Sequence, residues 1–166
     1  YQTPVLSSIS INKALKADIT FKAECLQETG SFKLRGASSA ISVLSKEEKS
    51  RGVVAFSSGN HAQGIAYASR ELGTSAKIVM PSDAPKIKIR KTQEYGAEVI
   101  FYDRDEDNRE EIGFSIAMEE GRKLIKPFDD LNVIYGQGTA ALEVMDEVDT
   151  KFDMSVVCCS GGGLAA

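Results

Sequence analysis

Apolar and polar residues alternate along the middle of the chain with two different periods. Nearly continuous apolar runs at Val53–Phe56, 77–80 and Glu98–Tyr102 indicate short buried strands. Between these runs, apolar residues recur every three or four positions, and glycine follows each such segment, as is common at helix ends. The predicted helices span residues 60–72, 87–95 and 105–120. Strands and helices that alternate in this way predict an α/β fold with a parallel sheet and right-handed crossovers.

The flanking segments carry weaker patterns of the same kinds. Residues 19–23 are a short strand candidate, and residues 32–44 place apolar or small side chains at helical spacing. A further helix is predicted to begin at residue 135 or 138 and to end at 148, and the apolar residues 154–159 predict a buried strand. Because the chain starts without methionine and stops in a loop that enters a predicted helix, we expect it to be incomplete.

Composition and charge exclude several classes of protein. The 166 residues are 42% hydrophobic and 27% charged, which is ordinary for a soluble globular protein. The formal net charge is −4 and there is no basic tract, which argues against nucleic-acid binding. The longest apolar runs are far too short to span a bilayer, and the first residues do not resemble a secretory signal. We therefore expect a cytoplasmic protein without nucleic-acid or membrane partners.

Three cysteines and one histidine limit the covalent and metal chemistry of the chain. An odd number of cysteines without framework spacing fits a reducing compartment. Cys158 and Cys159 close the apolar run at 154–159, and we expect them to pack as small hydrophobic residues. Since one histidine cannot build a His-rich site, no metal ligand is predicted in this chain.

The first chemical motif is a lysine between two apolar residues and two glycines, at residues 30–37 (GSFKLRGA). A lysine at a helix start is ordinarily solvated and has no special role. The alternative is a partly desolvated Lys33 whose lowered pKa lets its amine attack an aldehyde. The local sequence leaves both interpretations open.

The second motif, at residues 57–64 (SSGNHAQG), directly follows a predicted strand and opens a predicted helix. Ser57, Ser58 and Asn60 can present hydroxyl and amide groups there, and a helix N-terminus favours an anion such as a carboxylate. Simple capping by Ser58 or Asn60 explains the same pattern, and His61 could be a structural histidine.

The third motif, at residues 160–164 (SGGGL), again follows an apolar run. Three consecutive glycines can expose main-chain N–H groups that cradle a phosphate, although a flexible turn has the same composition. The glycines of this third motif do not have the spacing of a dinucleotide-binding fingerprint. In the second motif, the two residues after Gly64 are Ile65 and Ala66, where a nucleotide P-loop requires lysine and then serine or threonine. A nucleotide-binding regulatory module is therefore a weaker alternative.

Together these motifs resemble the fold-type II enzymes that depend on pyridoxal 5'-phosphate (PLP), and within them the threonine dehydratase and serine racemase group. Residues 30–37 look like the cofactor-lysine motif of that group, residues 57–64 like its substrate-carboxylate loop, and residues 160–164 like its phosphate loop. Residues 80–86, 95–99 and 136–139 are also similar to it. The resemblance covers essentially the whole chain, in order.

The resemblance implies a role for each motif residue. Lys33 would hold PLP as a Schiff base and act as the catalytic base, Phe32 would pack beside the ring, and Asn60 would bind the 3-oxygen of the ring. The main-chain N–H groups of the third motif would bind the phosphate. Residues of the second motif would bind the substrate carboxylate. The phosphate-binding residues are Gly161, Gly162, Gly163 and Leu164, and the substrate-binding residues are Ser57, Ser58, Asn60 and His61.

The resemblance also implies a fold and a reaction. We expect a two-lobed, three-layer αβα fold of the tryptophan-synthase-beta-like type, with residues 51–130 in a small lobe. Residues 1–50 and 131–166 would belong to a larger cofactor lobe, incomplete on its C-terminal side, where any divalent-cation site would lie. The expected reaction is conversion of threonine or serine to a 2-keto acid and ammonia, by a protein that forms homo-oligomers when full length.

Two residues point to different reactions within the group. A serine at position 58 resembles the second acid/base of serine racemases, whereas Phe128 looks more like dehydratases. Serine racemase, 3-hydroxyaspartate ammonia-lyase and a PLP-binding protein without turnover therefore remain alternatives.

Overall fold

A four-stranded parallel sheet forms the centre of the computed structural model, which describes residues 1–149 and 151–166. The strands are β1 (Val5–Ser7), β2 (Thr20–Lys22), β3 (Val53–Phe56), β4 (Ala76–Pro81), β5 (Glu98–Tyr102) and β6 (Lys123–Leu124). The helices are α1 (Ile9–Leu15), α2 (Lys33–Ser42), α3 (Lys46–Arg51), α4 (Asn60–Glu71), α5 (Lys86–Glu94), α6 (Arg109–Glu120) and α7 (Leu131–Glu147). The order in the main sheet is β5-β4-β3-β6, and β1 and β2 form a separate antiparallel pair.

Strand β3 is the most enclosed element, since all four of its residues are buried. It pairs with β4 on one side and with the two-residue β6 on the other. Val53 and Ala55 belong to one core cluster with residues of α2 and α4, whereas Val54 and Phe56 face a smaller cluster lined by α6. Helices thus cover both faces of the sheet, which explains the continuous apolar run in the sequence. The predicted α/β fold with a parallel sheet is confirmed.

Helices α2 and α7 approach each other closely because both carry glycine where they cross. A Cβ atom on Gly36 would lie 2.5 Å from Nε2 of Gln137, and one on Gly136 would lie 2.5 Å from the carbonyl oxygen of Arg35. Gln137 reinforces the crossing, because its side-chain oxygen accepts a hydrogen bond from the main-chain N–H of Gly36 at 3.1 Å. The first turns of α2, which contain Lys33, are therefore held against α7.

A buried ionic network joins the same two helices to the N-terminal strand pair. Arg35 is only 9% exposed, and its guanidinium donates to both carboxylate oxygens of Glu24 and of Glu143, at 2.6–2.9 Å. Lys22, in β2, forms a second ion pair with Glu143 at 2.8 Å. These hydrogen bonds raise the pKa of Arg35 despite its burial and lower the pKa of Glu143 to about 2.

One predicted element is wrong. Residues 154–159 do not form a strand, and Met154, Val156, Cys158 and Cys159 are exposed rather than buried. A strand requires a neighbouring strand that takes up its main-chain hydrogen bonds, and none of the described strands pairs with this segment. The two cysteines consequently do not pack as core residues here.

Other differences concern elements that the sequence pattern did not predict. Strand β1, helix α1, helix α3 and strand β6 are additional elements, and α7 begins at Leu131, before the predicted start. Helix α3 is short and charged, and a reciprocal capping box between Ser45 and Glu48 starts it. The division into two lobes stays a prediction. Within the described part of the chain, every helix is too short or too polar to cross a membrane.

Candidate active site

Lys33 lies at the start of α2, directly after a tight turn. Gly30 adopts a left-handed φ of +73° in that turn, which explains the glycine at this position. The Lys33 side chain is half-buried, and its Nζ donates a hydrogen bond to the carbonyl oxygen of Pro127 at 2.6 Å. Burial lowers the pKa of Lys33 because it penalises the charged ammonium. The structure thus supplies the partly desolvated amine that one interpretation of the sequence required.

Helix α4 packs directly on the main chain of Lys33. A Cβ atom on Gly64 would lie 3.1 Å from the carbonyl carbon and oxygen of Lys33, and 3.3 Å from the main-chain nitrogen of Leu34. Only a residue without a side chain allows this approach at no cost. The first two turns of α4, which carry the second motif, are therefore placed next to the lysine.

The second motif forms the connection between β3 and α4. Ser57 and Ser58 are half-buried, and the Ser57 hydroxyl accepts a hydrogen bond from the main-chain N–H of Gly59 at 3.2 Å. Asn60 is the first residue of α4, so that its own N–H and those of the next two residues lie at the positive end of a 12-residue helix. This geometry suits a bound carboxylate.

His61 is buried beneath this loop. Its side chain is 3% exposed, and its Nε2 lies 3.3 Å from the carbonyl oxygen of Ile125. Since a carbonyl only accepts, Nε2 carries the proton, and Nδ1 has no hydrogen-bond partner among the described residues. Burial lowers the pKa of His61 to about 4, so the ring is neutral at pH 7. In this tautomer Nδ1 can only accept a hydrogen bond, so a carboxylate would be bound by the main-chain N–H of His61 and not by its ring.

The glycine loop packs against Phe128. A Cβ atom on Gly161 would overlap the Phe128 ring, and a Cβ atom on Gly163 would lie 2.9 Å from Phe128 Cβ. Gly162 has a left-handed φ of +84°, and its carbonyl oxygen accepts hydrogen bonds from the main-chain N–H groups of residues 165 and 166 at 2.9 and 3.0 Å. Glycine is therefore required along this loop for both space and conformation.

Pro127 and Phe128, which are adjacent in sequence, contact Lys33 and the glycine loop respectively. The carbonyl of Pro127 accepts from the lysine, and the ring of Phe128 covers Gly161 and Gly163. The contact to Pro127 is not predictable from the sequence, because a main-chain carbonyl has no sequence signature. Nor is the contact of Lys88, whose Nζ donates to the side-chain oxygen of Asn60 at 2.6 Å.

These residues fit PLP in two respects. The group needs an amine of lowered pKa for its aldehyde, and Lys33 provides one. It also needs closely spaced main-chain N–H groups for its phosphate, and the glycine loop, in which side chains could not be accommodated, provides these next to Phe128. A parallel α/β sheet with a partly desolvated amine near a glycine loop is the arrangement expected of a PLP-dependent enzyme.

Comparison with known proteins gives the family. The whole chain, residues 1–166, matches the family of pyridoxal-phosphate dependent enzymes, and the protein belongs to that family. It is 50% identical over 163 residues to an L-threo-3-hydroxyaspartate ammonia-lyase of Saccharomyces cerevisiae and 48% identical to a serine racemase of Schizosaccharomyces pombe. Each match covers 98% of this chain and 50% of the relative.

A solved structure agrees with these matches. The serine racemase of maize superposes with a TM-score of 0.95 at 41% identity, over 99% of this chain and 50% of the maize chain. This superposition confirms the expected tryptophan-synthase-beta-like type of fold for the part compared. The chain spans about half the length of the relatives that it matches.

Proposed function

We propose that the full-length protein is a PLP-dependent ammonia-lyase that converts threonine or serine to a 2-keto acid and ammonia. The observation that carries this proposal is Lys33, a half-buried amine of lowered pKa beside a glycine loop. When bound, PLP supplies an electron sink for the charge that develops at the α-carbon of the substrate. Residues of the protein move the α-proton and orient the substrate.

Lys33 and the second motif have different roles at the substrate, proton transfer and carboxylate binding. The Nζ of Lys33, free of its bond to the cofactor once substrate is bound, takes the α-proton, and burial favours the neutral amine that this step needs. The N-terminus of α4, with Ser57, Ser58 and Asn60, orients the substrate carboxylate. The β-hydroxyl then leaves as water, with the proton that Lys33 took from the α-carbon, and addition of one water to the unsaturated amine gives the keto acid and ammonia.

A substrate screen tests this function. The full-length protein loaded with PLP is expected to release keto acid and ammonia in equal amounts from L-threonine, L-serine or L-threo-3-hydroxyaspartate. The hydroxyaspartate is included because one of the relatives carries that activity in its name. A protein that binds PLP but releases no keto acid from any of the three would instead be a PLP-binding protein without turnover.

Serine racemase is a second candidate function, because racemases are among the relatives and residue 58 is a serine. Elimination needs one base, whereas racemisation needs a second acid/base on the opposite face of the planar substrate. Ser58 is the residue that the resemblance offers for this second role. Its place between Ser57 and Gly59, in the half-buried connection to α4, is compatible with that role.

Replacing Ser58 by alanine is expected to separate the two reactions. A general acid/base contributes about 10²–10⁴-fold, so that racemisation should fall by about this factor while elimination from the L-substrate is largely retained. Exchange of the α-proton in deuterated water, followed with each enantiomer, reports the two faces separately. Ser57→Ala is the control for loss of a neighbouring carboxylate contact, and it should change the exchange of both enantiomers to the same extent. Unchanged exchange with the D-enantiomer in Ser58→Ala would remove the racemase role and leave the lyase.

The remaining expectations belong to the full-length protein. We propose that it acts in the cytoplasm and forms homo-oligomers, with small amino acids as substrates. We further propose that residues 51–130 form a small lobe, with residues 1–50 and 131–166 in a larger one. Closure between lobes would exclude water from the reaction.

A further inference from the structure

Lys88 contacts a residue of the candidate site although it lies on a separate helix. It belongs to the first turn of α5, which packs on α4, and its Nζ donates to Oδ1 of Asn60 at 2.6 Å. The main chain of Lys88 is fixed on both sides: its N–H donates to Pro85, and its carbonyl accepts from the Thr92 hydroxyl at 2.8 Å. The side chain therefore reaches Asn60 from a turn whose main chain is hydrogen-bonded on both sides, in a contact that is open to solvent.

Asn60 lies on the face of α4 that meets the catalytic lysine. It precedes Gly64 by four residues, and residues four apart share one face of a helix. Gly64 is the residue that contacts the main chain of Lys33. Asn60 is thus placed one turn away from that contact, beside the position expected for the cofactor ring.

The contact with Lys88 decides how the amide of Asn60 is oriented. An ammonium group can only donate, so the oxygen of the amide must face Lys88. The NH₂ group of Asn60 then points away from Lys88 and can donate elsewhere. Without Lys88, the amide could rotate and offer its oxygen, which would repel an oxygen acceptor.

We propose that Lys88 is a positioning residue that holds the Asn60 amide with its donor side toward the ring oxygen of PLP. The proposal rests on the proposed function, since it needs a bound PLP. Lys88 acts through Asn60 and has no direct role at the reacting atoms.

Binding of PLP to the full-length protein tests this assignment, with the dissociation constant and the visible absorbance band of the bound cofactor as readouts. Lys88→Met is expected to weaken PLP binding about three- to tenfold, the range for one lost hydrogen bond, and to shift the absorbance band. Lys88→Arg, which keeps a donor, is expected to restore affinity and spectrum. Lys91→Met, an exposed lysine on the same helix, is the matched control.

A double-mutant cycle distinguishes positioning from a general structural effect. In an Asn60→Ala background, Lys88→Met is expected to have no further effect on PLP binding, because the amide that it orients is gone. An equal loss in both backgrounds, or no loss in Lys88→Met alone, would overturn the proposal. Failure of the wild-type protein to bind PLP at all would instead contradict the proposed function.

Discussion

Replacing Lys33 by alanine in the full-length protein is expected to abolish covalent retention of PLP and to reduce turnover at least about 10²–10⁴-fold. That factor corresponds to loss of the general base alone, and loss of the attachment point adds to it. Lys33 Nζ is the amine that burial shifts toward its neutral form and that the Pro127 carbonyl holds beside the glycine loop.

Reductive trapping locates the attachment directly. Borohydride treatment of the PLP-loaded wild type, followed by peptide mapping, should place the cofactor on Lys33, and Lys33→Ala should carry no label. Lys91→Ala is the control for loss of an exposed lysine. A label on Lys22 or Lys77 would contradict the assignment, since Lys22 is ion-paired with Glu143 and Lys77 with Glu120.

Glu143→Gln is expected to lower the free energy of unfolding by roughly 1–2 kcal/mol at pH 7. The hydrogen bond from Arg35 is the largest cause that lowers the pKa of Glu143 to about 2, and Lys22 contributes. A shift from the ordinary value of 4.5 would correspond to about 3 kcal/mol for a fully buried carboxylate, and solvent around the half-buried Glu143 reduces this to roughly 1–2 kcal/mol. Arg35 keeps its hydrogen bonds to Glu24 in this variant, so its charge is not left without a partner.

The pH dependence of this effect has a definite sign. The pKa of Glu143 is lower in the folded than in the unfolded protein, so its contribution is fully present above about pH 4.5 and is lost as pH falls toward 2. Denaturant unfolding of the wild type and the variant at several pH values should therefore converge at low pH. Glu94→Gln, at an exposed ion pair with Arg90, should cost less than about 1 kcal/mol. A constant difference between wild type and Glu143→Gln down to pH 2 would contradict the assignment.

Burial on both faces is what made the central strands predictable. All residues of β3 are buried, and β4 is buried except for Lys77, so both appear as apolar runs. β6 has two residues and α1 buries none, so neither leaves a pattern. Residues 154–159 have the composition of a buried strand, but composition says only that a segment can be buried and does not supply the strand that pairs with it.

The candidate site also contains residues that the sequence predicts and residues that it does not. Lys33, the loop before α4 and the three glycines could be proposed from the sequence because each lies in a contiguous motif. Pro127 and Lys88 could not be proposed, because their contributions depend on how separate elements pack. Some missed features do have a recognisable sequence signal, such as the capping box of Ser45 and Glu48 and the N-cap Asp130 at the start of α7.

The ionic network around Arg35 also has a consequence for the order in which the protein folds. Arg35 and Glu143 are 108 positions apart, so a ribosome that adds about 5–20 residues per second needs roughly 5–20 s between them. During that interval the sheet strands β3, β4 and β5, which are close in sequence, can pair while the Arg35 guanidinium still lacks its partner on α7. Docking of the Lys33 helix against α7 is thus a late, long-range event in biosynthesis, and slow folding steps are expected to concentrate there.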